Sequence, residues 1–99
     1  MKIKAKVKGD AVAVKMLINH VMETGRRKDE SGELIPAHYI KEVVAKHQDA
    51  VVFSAHLGTA VSKDPYLSFK FKGGASGESI SVTWVDSKGE TETKESVIK

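Results

Sequence analysis

Apolar and polar residues alternate along most of the chain. In MKIKAKVK, residues 1–8, Ile3, Ala5 and Val7 interleave with Lys2, Lys4, Lys6 and Lys8, the period of two that a half-buried strand requires. AVAVKMLIN, residues 11–19, places Val12, Val14, Met16 and Ile18 on one face and Ala11, Ala13, Lys15 and Leu17 on the other. This second face is too apolar to be left to open water. VVFSAH (51–56), YLSFKF (66–71), SISVTWV (79–85) and TETKESVI (91–98) follow, rich in the β-branched and aromatic residues that fit a pleated surface. Gly9-Asp10, KGGASGE at 72–78 and DSKGE at 86–90 supply turns between them.

One segment fits two periods. In PAHYIKEVVAKHQD, Ile40, Val43, Val44 and His47 match a helical face, with Pro36 in a first turn. As a strand, Ile40 and Val44 share a face and Tyr39, Val43 and Ala45 lie opposite. The β-branched residues and the surrounding strands predict strand. About seven short strands with regular turns and no alternation with helices indicate an all-β domain, an antiparallel β-sandwich of immunoglobulin-like type.

Length and charge narrow the picture. A chain of 99 residues forms one domain, and at that size burial removes only roughly 60–65% of the unfolded surface, so a partner covering a second apolar surface adds stability. The chain has 16 basic and 13 acidic residues for a net charge of +3, and four of the lysines fall within the first eight residues. Those lysines fit protection of an edge strand or a surface for an anionic partner. Their alternation argues against a secretory signal peptide, which needs an uninterrupted apolar region of about 7–15 residues, and no transmembrane segment is expected. With no cysteine there is no disulfide, thiol chemistry or thiolate metal site.

Familiar reaction motifs fail on context. GGASG lies between two strands, so it lacks the helix N-terminus of a phosphate cradle, and Ser76 does not sit in a nucleophile elbow. Alternation groups Leu67, Phe69 and Phe71 on one side of YLSFKF, where they read as core rather than as a base-stacking platform, so no nucleic-acid partner is expected. Trp84 reads as core as well. Imidazole suits copper or zinc, and Met22 near His20 adds a thioether, but His20, His38, His47 and His56 show no short metal-binding spacing. Hydrogen-bonded or solvent-facing histidines are the expectation, with no metal and no cofactor.

Four strings in order, KMLINHVMETGRRK, GELIPAHYIKEV, KDPYLSFKFKG and VTWVDSKGE, resemble the SoxZ family, the small subunits of the SoxYZ sulfur-compound carrier in the thiosulfate-oxidising Sox system. The resemblance spans nearly the whole chain. In that family a proline often follows the histidine where Val21 stands here, a departure that bears on the local turn. The resemblance implies an immunoglobulin-like sandwich and a strand through 38–47. It also implies a heterodimer with a SoxY-like subunit, whose C-terminal Gly-Gly-Cys-Gly-Gly arm holds sulfur intermediates covalently. The implied role is non-catalytic: bracing the carrier subunit, with transient contacts to sulfur-oxidising enzymes. The implied compartment is the periplasm, reached by export together with the signal-bearing partner.

The apolar second face of 11–19 then acquires a use. Ala11, Ala13 and Leu17, with Val52 on a nearby strand, are expected at the partner interface, and His20, Met22 and His38 at the recognition surface around the 19–38 connection. Glu23 to Glu33 reads as a solvated connection between strands. Without its partner the chain is expected to self-associate through the same apolar surface. The competing expectation is a stand-alone sandwich that binds a metal or small anion through its histidine-bearing loops.

Overall fold

The alternating residues form strands whose apolar faces meet across two sheets. In the computed structural model, which describes residues 1–99, the strands are β1 Lys2–Lys8, β2 Ala11–Leu17, β3 Ile40–His47, β4 Ala50–His56, β5 Tyr66–Lys72, β6 Ser79–Asp86 and β7 Thr91–Val97. All neighbours pair antiparallel, as β1-β2-β5 in one sheet and β4-β3-β6-β7 in the other. This is an immunoglobulin-like order in which the fourth strand joins the second sheet instead of pairing with the fifth.

Between the sheets, Met16 and Ile18 pack against Ile40, Val43, Val82 and Trp84. Toward the other end, Ala5, Val12, Val14 and Phe71 pack against Ile80 and Ile98. Each large side chain fully buried here contributes about 1.5–3 kcal/mol of transfer free energy. At Gly74 a Cβ would come within 2.6 Å of a Val12 methyl, so only glycine lets this loop close over the core.

The ambiguous segment is strand β3, but its inner face differs from strict alternation. Ile40 is buried together with Val43, Ala45 and His47 because the pairing with β6 shifts between Ile40 and Glu42. Such a bulge turns one extra residue and moves Ile40 to the core side. A second shift, between Ala45 and Lys46, pairs Ala45 with Phe53 and Lys46 with Val51. Val52 is the extra residue and packs inward against both core clusters.

Strand direction sorts the connections into two ends. One end holds the 18–39, 57–65 and 87–90 connections; the other holds residues 9–10, 48–49 and 73–78. At the second end, Glu78 accepts from His47 Nε2 at 2.9 Å, Gln48 Nε2 at 2.6 Å and the Ala75 amide at 2.7 Å. The His47 hydrogen bond, followed by that from Ala75, holds the Glu78 carboxyl below its usual range.

The connection from Glu23 to Glu33 is solvated as expected, with Arg26 to Leu34 all exposed, but it pairs with the chain that follows to form an arm. Glu23 bridges to His38, and Lys28 to Leu34; the amide of Ile35 donates to the Arg27 carbonyl at 2.8 Å. The Cα envelope measures 53 × 20 × 16 Å, whereas strands of seven or eight residues span roughly 25 Å. The 19–38 arm therefore extends the long axis well beyond the sandwich.

The β3–β4 hairpin turns through Gln48 and Asp49, at φ 49° and 67°, the left-handed pair of a type I′ turn that favours glycine second. Asp49→Gly is therefore expected to raise stability by about 0.5–1 kcal/mol, read as a higher urea midpoint with unchanged slope.

Candidate functional site

The strand order brings Asp86, the last residue of β6, to the end of the sandwich where the arm begins and ends. The residue is 1% exposed. Oδ1 accepts from the amides of Lys88 at 3.0 Å and Glu90 at 2.9 Å, which shapes the DSKGE turn as an aspartate at a turn start commonly does. Oδ2 accepts from His20 Nε2 at 3.0 Å and His38 Nε2 at 2.6 Å. A carboxylate offers about four acceptor sites, and all four are occupied. Burial alone would raise the Asp86 carboxyl, but donation from His20, His38 and the two amides outweighs it and holds the group far below the usual carboxylate range.

Each histidine is itself held. The amide of Met22 donates to His20 Nδ1 at 3.0 Å, so the ring proton of His20 resides on Nε2 and points at Asp86. Trp84 stands edge-on to the His20 ring, centroids 5.3 Å apart, and His38 does so at 4.6 Å. The backbone of His20 is tied to the 57–65 loop through Asp64, whose Oδ1 accepts from the His20 amide at 2.9 Å and whose amide donates to the His20 carbonyl at 3.0 Å. His38 exchanges two backbone hydrogen bonds with Glu23, at 2.7 and 3.0 Å. Met22, at φ 48°, buries its side chain and accepts at sulfur from the Ile40 amide, 3.4 Å away.

His20, His38 and Asp86 lie close enough to share a metal ion, with ligand atoms within 4.8 Å of one another, and Glu90 Oε2 is 3.4 Å from His38 Nε2. The donor chemistry does not fit. A metal at His20 Nε2 would require the proton on Nδ1, facing the Met22 N–H, so two donors would oppose each other. The arrangement is a hydrogen-bond lock that joins the two ends of the arm, the 57–65 loop and the β6–β7 turn.

The residues singled out from sequence fall in three places. His20, Met22 and His38 converge at this lock, where His20 and Met22 are buried and shape the surface from beneath. Ala11, Ala13 and Leu17 are half-buried on the outer face of the first sheet. Val52 is half-buried on the edge strand β4 and packs inward against both core clusters. Asp86 was not anticipated. DSKGE signals its turn role, but nothing local signals two histidines 48 and 66 residues away.

Fold and site together define an immunoglobulin-like sandwich with one buried polar lock at its arm-bearing end. The chain belongs to the SoxZ family: it matches the model described as sulphur oxidation protein SoxZ over residues 1–97. Membership assigns it to the Sox sulfur-oxidation system. A comparison with curated proteins finds no match.

Asp86→Asn retains the amide acceptor but turns an NH2 group toward His20 and His38, and is expected to destabilise the fold by about 3 kcal/mol. The depressed carboxyl stabilises the native state fully above its ordinary value of 3.8, and that contribution declines as pH falls below it toward the folded value. The gap between native and Asp86→Asn denaturation midpoints should accordingly be widest near neutral pH and narrow progressively below about pH 4. Zinc or copper titrated by calorimetry is expected to give no stoichiometric binding at the lock; a 1:1 complex abolished by His20→Gln would contradict the tautomer assignment.

Proposed function

We propose that this chain is the non-catalytic subunit of a periplasmic sulfur-compound carrier heterodimer, exported together with a signal-bearing SoxY-like partner. The partner's C-terminal cysteine arm carries sulfur intermediates covalently during thiosulfate oxidation, and this chain braces the partner while processing enzymes act on the arm. One observation carries the reading: a sequence that matches the SoxZ family over residues 1–97 has no cysteine. It has no thiol on which to hold sulfur, so its contribution to a carrier lies in the surfaces it presents.

The outer face of β4-β3-β6-β7 suits a stable partner. Of the fourteen residues that the register turns outward, four carry acid or base side chains, Glu42, Lys46, His56 and Glu95, and Val51, Val85 and Val97 are 57%, 38% and 55% exposed. Thr83 and Thr93 satisfy each other across the middle at 2.8 Å. Obligate interfaces are depleted of charge at their centres in this way. Ala11, Ala13 and Leu17 belong to the opposite face, where lysines surround them, a composition less suited to a permanent interface.

Co-expression with a SoxY-like subunit is expected to yield a stable heterodimer on gel filtration. Val51→Lys should weaken it about tenfold or more without changing the unfolding midpoint of the isolated chain, while Leu17→Glu leaves it intact. Failure of any cysteine-armed partner to co-purify would overturn the carrier reading; loss of binding in Leu17→Glu alone would move the interface to the other sheet.

A further inference from the structure

The outer face of the first sheet carries a charge pattern that the carrier reading leaves unused. Seven of its twelve positions are lysines and none is acidic: Lys2, Lys4, Lys6 and Lys8 on β1, Lys15 on β2, and Lys70 and Lys72 on β5. All seven are exposed. The remainder of the chain holds nine basic against all 13 acidic residues, so a basic platform stands on an otherwise acidic molecule. Adjacent side chains on such a face are roughly 5–7 Å apart, within the Debye length of about 8 Å at physiological salt, and their potentials add.

This arrangement works against the fold. Lys4 lies directly opposite Lys15 in register, and like charges so placed are destabilising. Only Lys72 has a carboxylate within 4 Å, that of Asp10 at 3.9 Å. Edge protection does not account for it. Lys15 is on the central strand, and the outer edge of β1 is already paired where Val7 donates to the Lys99 carbonyl at 2.9 Å and Lys99 to Ala5 at 3.0 Å.

We propose that this face docks an acidic protein surface, as a second partner site distinct from the valine-bearing face. Small residues open a shallow depression around Ala13 and Ser68, bounded by Lys8, Lys15 and Lys70, into which a carboxylate side chain fits. Leu17 and the 59%-exposed Tyr66 lie side by side at one end, supplying the apolar and aromatic contact that protein interfaces use. A small oxyanion would engage only a few of the seven lysines, which spread over all three strands, whereas an acidic protein surface can meet them together. Nucleic acid is disfavoured because the face has no arginine fork and one aromatic at its corner, which makes no stacking platform. A lipid surface is disfavoured because the central apolar residues, Ala11 and Ala13, are half-buried between longer lysines. The chemistry suits electrostatic steering of a transient partner, and it does not depend on the carrier reading.

The test uses the full chain and three probes: labelled poly-L-glutamate, duplex DNA, and vesicles containing phosphatidylglycerol. Lys4→Gln/Lys6→Gln/Lys15→Gln/Lys70→Gln is compared with a charge-matched control, Lys28→Gln/Lys41→Gln/Lys63→Gln/Lys88→Gln. Poly-L-glutamate is expected to bind the native chain at low salt, to weaken steeply with added salt, and to bind the face variant about tenfold less tightly, with the control variant near native. The face variant should unfold at or above the native temperature because the Lys4–Lys15 opposition is gone. Equal losses in both variants, no lysine-dependent binding, a lowered unfolding temperature, or tighter binding of DNA or vesicles than of poly-L-glutamate at equal charge would each overturn the proposal. Because no carrier subunit enters this experiment, its outcome is separable from co-purification.

Discussion

The carboxylate of Asp86 is the constraint on which the arm-bearing end depends. A buried charge is costly unless every acceptor position is filled, and here two amides and two imidazoles fill them. Each donor comes from chain that must already be correctly placed: the β6–β7 turn, residue 20 at the root of the arm, residue 38 at its return. The lock therefore couples the arm to the sandwich. A displaced arm would leave the carboxylate short of donors, and a distorted turn would leave the histidines without an acceptor. An arm held in this way projects at a fixed angle, which a connection of glycine and charged residues would not achieve alone.

Much of the fold was legible because it rests on local periodicity. Val12, Val14, Met16 and Ile18 sit in the core as period two requires, and Leu67, Phe69 and Phe71 face inward in the same way. What escaped depends on register between strands. Ile40 and Val52 each change face because one strand gains a residue on its neighbour, and no single strand's pattern records its partner's count. The Gln48-Asp49 turn lacks the glycine that would have marked it. The candidate site was half legible: the histidines flanking the arm were visible as a pair, but Asp86, which unites them, belongs to a turn far along the chain. The pairing of Glu23 with His38 and Lys28 with Leu34 likewise connects residues whose composition alone describes a solvated loop.

The two outer faces show how one alternating sequence carries two unlike surfaces. In a sandwich, every second residue of each strand is committed to the core, and the intervening residues are released from it. Lysines accumulate on one sheet and valines and threonines on the other without altering an interior contact. Each choice is unfavourable for the isolated chain, through like-charge repulsion on one side and exposed apolar side chains on the other. A domain of 99 residues has little stability in reserve, so retaining both is most simply understood if each is relieved by a partner. Lasting coverage would relieve the apolar face, because water competes for its side chains at every moment it is open. A partner that comes and goes would suffice for the lysine face, since ammonium groups remain well solvated between encounters and mainly accelerate the approach of an opposite charge. The sandwich keeps these two surfaces on opposite sides, so that occupation of one would leave the other open.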